Sequence, residues 1–215
     1  MRKAPFLVLF FAVFALVPVF LAWGQGVPVR STYQSVILFV SLTAFGILLG
    51  EFWLSRLLPN NVVQMKASGI ARWHRVIGYV AGAVVLPHPV LIVSRRFWVE
   101  ESNPVDNLLI ILRTPSLRMG IAAWILLVLI IVLCFVRRSF RGRTWRVLHG
   151  VLSVGFAGLA TCHVVALGRH SDLVMSVFWI VLAGGSIIAL LLRYLPKRPQ
   201  SPSGTEKGAT HEATE

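Results

Sequence analysis

Four histidines lie inside long apolar runs, where histidine is uncommon. His74 and His88 are fourteen residues apart in R-W-H-R-V-I-G-Y-V-A-G-A-V-V-L-P-H-P-V-L-I, from Arg72 to Ile92. His149 and His163 repeat that spacing in W-R-V-L-H-G-V-L-S-V-G-F-A-G-L-A-T-C-H-V-V-A-L, from Trp145 to Leu167. At 100° per residue, fourteen steps return a helix to within about 40° of its starting face. They also carry it roughly 21 Å along the axis. Each helix therefore presents one imidazole near each end of nearly one face, and two such helices face to face would stack the four rings as two pairs.

Ionisable side chains inside membrane spans usually mark a site or a pathway. Imidazole is a ligand for iron, copper and zinc, and haem iron is commonly held by histidine. Zinc would need its ligands to converge on one tetrahedral centre, which a separation of roughly 21 Å along each helix forbids for all four. Two separate two-histidine sites match six-coordinate haem, with one imidazole above the ring and one below. Two other readings stay open: polar side chains satisfied by neighbouring helices, or a proton relay in a haem-free transporter or scaffold subunit. A third role, a purely assembling subunit, would use the arginine-rich loop at 137–146 to anchor a partner.

The elements that must position these residues read as an all-α, polytopic six-helix transmembrane bundle. The chain is 56% hydrophobic and only 13% charged, with a mean hydropathy of +0.77, against about 25% charged for an average soluble domain. Spans are expected at Pro5–Trp23, Ser35–Leu58, Arg72–Val93, Leu117–Val136, Trp145–Leu167 and Leu173–Leu195. Each apolar run is long enough to cross a bilayer. The first, in residues 1–34, has a basic start like a signal peptide but is longer than the usual apolar stretch of about 7–15 residues. Residues 35–195 form the proposed haem-binding domain. Residues 196–215, rich in Pro, Ser, Gly, Thr and Glu, read as a disordered cytoplasmic tail.

Within the second span, Glu51 is expected to reach the membrane interface, with a paired or functional carboxylate inside the span as the alternative. Pro87 and Pro89 bracket His88 and remove backbone donors there, bending the third span. L-L-I-I-L, at 108–112, is too short to span and should lie at the interface or against the bundle. The fourth span has no ionisable group at its centre and reads as a scaffold helix that binds nothing. Gly78, Gly82, Gly150, Gly155 and Gly158 suit close approach of either a flat macrocycle or a neighbouring helix. His170, beyond the end of the fifth span, reads as a loop histidine, with a role as an outer-side ligand as its alternative, and His211 belongs to the tail.

The net charge of +13 would suggest nucleic acid in a soluble protein. Here the basic residues sit in short loops beside apolar runs, which indicates topology instead. Fifteen Lys and Arg fall on one side of the six-span arrangement and six on the other. This places both termini in the cytoplasm of a multi-pass protein of the cell (inner) membrane, with His74 and His149 near the inner face and His88 and His163 near the outer. Arg72, Arg75 and Arg146 beside the inner pair could neutralise haem propionates, although topology alone accounts for them. Cys134 and Cys162 lie in separate apolar runs and support neither a disulfide framework nor an iron–sulfur site.

R-W-H-R-V-I-G with the later H-P at His88, W-R-V-L-H-G with the later C-H at His163, and R-T-P-S-L-R-M-G before the fourth span together resemble the transmembrane module of the ferric reductase / NADPH oxidase family. The resemblance covers roughly residues 35–195. It implies two b-type haems, His74 with His149 and His88 with His163, that pass single electrons across the membrane. The fused family members carry a flavin- and NAD(P)H-binding domain, and no such site is expected in this chain, which shows no G-x-G-x-x-G fingerprint. The expected role is thus an electron-transfer component of an oxidoreductase. It would be embedded in membrane lipid and served by a separate donor, a flavoprotein or a quinol, and by an outer-side acceptor, with no nucleic-acid partner.

Overall fold

A computed structural model describes residues 4–26, 31–54, 67–99, 104–167 and 172–192. The expectations for His170, for the 196–215 tail with His211, and for the span ends at 55–58 and 193–195 lie outside those residues. Every described element is helical. Among the described residues, six helices are long and apolar enough to cross a membrane: Leu7–Gly24, Thr32–Leu54, Ser68–Ser94, Pro115–Phe135, Gly142–Ala166 and Leu173–Leu191. These are the six expected spans, with ends shifted by a few residues. Large apolar side chains such as Leu9, Phe20, Val80 and Ile180 are exposed on their outward faces. A helix satisfies its own backbone hydrogen bonds, so such faces can meet lipid. The chain is a multi-pass membrane protein.

The first span is not uniform. It comprises α1 (Ala4–Phe11), a π-helical turn (Ala12–Leu16) and α2 (Val17–Gly24). Gly26 follows with a φ of 61°, the left-handed conformation that commonly terminates a helix. The second span is α3 (Thr32–Leu54). Gly46 and Gly50 on α3 form a G-x-x-x-G pair against the first span. A Cβ at Gly46 would collide with the carbonyl oxygen of Phe14, and one at Gly50 would lie 2.7 Å from the Phe10 ring. The two spans therefore touch nearly backbone to backbone, the contact that small residues permit between membrane helices.

The third span is broken where the prolines fall. It consists of α4 (Ala67–Val85) and α5 (His88–Val99), joined by a turn at Leu86 and Pro87. The indole N–H of Trp124 donates to the carbonyl of Leu86 at 2.8 Å, and the Tyr33 hydroxyl donates to the carbonyl of Leu91 at 3.2 Å. Both ties fix the break to neighbouring spans. The L-L-I-I-L segment lies in a short helix, α6 (Pro104–Arg113), which packs between α5 and the fourth span, α7 (Pro115–Phe135). Asp106 in its first turn and Arg113 in its last complement the helix dipole. Then come α8 (Gly142–Ala166) and α9 (Leu173–Leu191), the latter capped by Asp172, whose carboxylate accepts from the Met175 N–H at 2.8 Å.

Packing divides the bundle into two intimate pairs, α3 with α4 and α7 with α8. α9 closes the bundle against α3 and α8. Trp179 and Met175 on α9 are fully buried in the shared core, alongside Leu49 of α3 and Ala157 of α8. Trp53 enters beside Gly185, and its indole N–H donates to Ser186 Oγ at 3.0 Å. The histidine helices α4 and α8 are carried by α3 and α7 and meet each other through side chains rather than backbones.

Overpacking a tight helix contact costs about 1–3 kcal/mol. Gly46→Leu should accordingly lower the thermal midpoint of the detergent-purified protein, whereas Gly24→Ala, where a Cβ meets nothing within 4 Å, should leave it unchanged.

Candidate functional site

The fourteen-residue spacing brings the histidines together as two pairs. His74 on α4 and His149 on α8 have ring centroids 6.4 Å apart and ring planes inclined at 87°. His88, the first residue of α5, and His163, near the end of α8, are close enough to interact electrostatically. All four side chains are partly buried. Among the described residues no three His, Cys, Asp or Glu side chains converge on a single point. Two pairs of neighbouring imidazoles are the arrangement present.

Each imidazole is held at the same ring atom. Nδ1 of His74 rests against Oε2 of Glu51. Nδ1 of His88 lies 2.8 Å from Ser41 Oγ. Nδ1 of His149 lies 3.9 Å from the Cys134 sulfur. Nδ1 of His163 lies 2.7 Å from the backbone carbonyl of Ser116. A carbonyl can only accept, so His163 carries a proton on Nδ1, and His74 does the same where Glu51 is ionised. Binding of the far nitrogen by a neighbour is the usual way a ligating histidine is oriented.

Glu51 departs from expectation. It does not reach the interface: the residue is 5% exposed, and its carboxylate is turned inward onto His74. Its other oxygen, Oε1, is buried with no hydrogen-bond partner. Burying a carboxylate is costly unless it is paired, and His74 supplies the pairing. The sequence pattern shows an acidic residue near a helix end. It does not show that α4 packs along α3 with His74 at that level.

The fourth span is likewise not an inert scaffold. α7 supplies Ser116 to His163 and Cys134 to His149. Gly120 on the same helix is a position where a Cβ would lie 2.6–2.9 Å from three atoms of the His163 ring, so the absence of a side chain there makes room for the imidazole. The other glycines divide by role. Gly82 and Gly155 face Ile131 and Leu126 of α7, as helix packing requires, whereas at Gly78 and Gly158 a Cβ would meet nothing within 4 Å. Gly150 is buried.

At the first pair the rings continue outward as a stack. Trp145 lies parallel to His149, with centroids 5.0 Å apart and planes 13° from parallel. The Arg137 guanidinium sits 4.8 Å from the Trp145 ring centre, within cation–π range. The Trp145 indole N–H donates to the Leu133 carbonyl at 3.3 Å. Both cysteines are free, Cys162 exposed and Cys134 partly buried.

Residues 6–160 match the family described as ferric reductase like transmembrane component. The match takes in the first span as well as His74, His88 and His149, and it ends three residues before His163. An uncharacterized protein of Archaeoglobus fulgidus is 31% identical over 160 residues, covering 73% of this chain and 87% of the relative. No solved structure matches. With most of its length matched, the chain belongs to the ferric reductase like transmembrane component family and is a membrane electron-transfer component.

Proposed function

We propose that this chain is a b-type cytochrome that relays single electrons across the membrane through two haems, one held by His74 and His149 and the other by His88 and His163. The observation that carries the reading is the common engagement of Nδ1 by Glu51, Ser41, Cys134 and Ser116. It leaves the four Nε2 atoms as the ligating nitrogens. The spacing of the first pair fits the group. Metal–imidazole bonds of about 2 Å on both sides of one ion put ring centres about 6 Å apart, and the observed separation is 6.4 Å. Unfilled space beside Gly78 and Gly158 is compatible with a flat ring lying against the helices.

When bound, haem supplies a reversible one-electron couple, and the protein contributes ligation, burial and electrostatics. The remaining work falls to this chain. α3 and α7 hold the imidazoles of α4 and α8 in fixed orientations. The apolar bundle excludes water from between the pairs. The stack of His149, Trp145 and Arg137 extends the first pair toward the basic loop. The distribution of Lys and Arg supports cytoplasmic termini in the cell (inner) membrane, with His74 and His149 on the inner side. Electrons then arrive from a separate cytoplasmic flavoprotein or from a quinol in the lipid, and leave at the outer side to an acceptor beyond the second pair.

Purified protein should show a b-type reduced-minus-oxidised spectrum with two haems per chain. His74→Ala or His149→Ala should remove the inner haem, and His88→Ala or His163→Ala the outer, each leaving a ratio of one. Colourless protein from haem-replete cells defeats the reading; full haem content in all four variants defeats the ligand assignment. Gly120→Ala should also lower the ratio to one, because the new methyl group occupies the place of the His163 ring. The proposed orientation requires a C-terminal green fluorescent protein fusion to fluoresce and a C-terminal alkaline phosphatase fusion to be inactive, and the opposite pattern would invert it.

A further inference from the structure

The four histidines have partners of unequal charge. Ser41 offers a neutral hydroxyl to His88, Ser116 a neutral carbonyl to His163, and Cys134 a distant sulfur to His149. Among the described residues, only His74 meets a carboxylate, that of Glu51. This carboxylate is buried, with one oxygen on the imidazole and the other unpartnered. Stability does not require such a pair, since buried ion pairs replaced by apolar residues are often neutral or stabilising. A role directed at the imidazole accounts better for a carboxylate so placed.

We propose that Glu51 is a positioning residue that makes the inner haem site the weaker electron acceptor of the two; the inference rests on the haem reading above. Ligation through Nε2 leaves the proton on Nδ1, so His74 donates and Glu51 accepts. A hydrogen bond to a carboxylate raises the basicity of a ligating imidazole, and a negative charge close by favours the oxidised, more positive iron. Both effects lower the inner reduction potential, and hydrogen bonding to a ligating side chain is among the levers a protein has on a haem. Arg137 is separated from His149 by the whole Trp145 ring, and Arg72, Arg75 and Arg146 beside the inner pair are exposed, so these cations oppose both effects through solvent that screens them. Among the described residues the outer pair has neutral partners on both sides. With both groups bound, transfer from the inner site to the outer one would therefore run downhill, away from the cytoplasm.

The test is a potentiometric titration of the purified full chain, with midpoints assigned through His149→Ala and His163→Ala. The wild type should show the inner midpoint below the outer. Glu51→Gln keeps the volume and an acceptor oxygen but removes the charge. It should retain two haems and shift the inner equilibrium toward the reduced form at least tenfold, about 59 mV for one electron, with the outer midpoint unmoved. Ser41→Ala should leave the inner midpoint where it was. An inner midpoint equal to or above the outer in the wild type overturns the proposal, and this holds even if the Glu51 variant fails to fold. Two haems with unchanged midpoints in Glu51→Gln overturn it as well. Wild-type protein without b-type haem would instead refute the underlying functional reading.

Discussion

Orientation of the imidazoles by their neighbours is the constraint on which the site depends. A histidine on an isolated helix can turn about its side-chain torsions and present either nitrogen. Here every ring is fixed through Nδ1 by a residue of the second or fourth span. The partners come from two helices that contribute no histidine. α3 reaches one ring of each pair through Glu51 and Ser41, and α7 reaches the other ring of each through Cys134 and Ser116. The division into supporting and histidine-bearing helices follows the packing, since α3 lies along α4 and α7 along α8.

Local sequence choices serve that division. The proline pair ends α4 and lets His88 begin a new helix, where Ser41 can meet it. Trp124 holds the Leu86 carbonyl at the break, so the interruption is anchored rather than loose. On α7, a glycine stands where a side chain would displace His163. On α3, the G-x-x-x-G face brings the first span against the helix that carries Glu51 and Ser41. Hydrophobic burial does little to select among such arrangements in lipid, and close small-residue contacts and interhelical hydrogen bonds do more.

The spans, the helix break and the pairing of the histidines were legible in the sequence because each is set by a one-dimensional quantity. Apolar length fixes the spans, proline chemistry fixes the break, and a fourteen-residue interval fixes the shared face. What escaped was set by which helix lies beside which. Glu51 reads as an interfacial residue until α4 is laid along α3 and His74 arrives at its level. The fourth span reads as inert because its contributions are a backbone carbonyl, a thiol and a missing side chain, none of which has a hydropathy signature. The π-helical turn at Ala12–Leu16 likewise leaves no mark on composition.

The separation of α4 from α8 has a mechanical consequence. The second and third spans form one well-packed pair and the fourth and fifth another; the sixth span packs against both, while α4 and α8 themselves meet across opposed imidazoles rather than along an interlocked seam. A ligand bonded to both rings would work as a rivet between the two pairs of spans. By mass action, a species that binds only the assembled form stabilises it. The clamp that holds such a ligand would then be tightened by what it holds, and resistance of the whole bundle to coming apart would depend on its cargo.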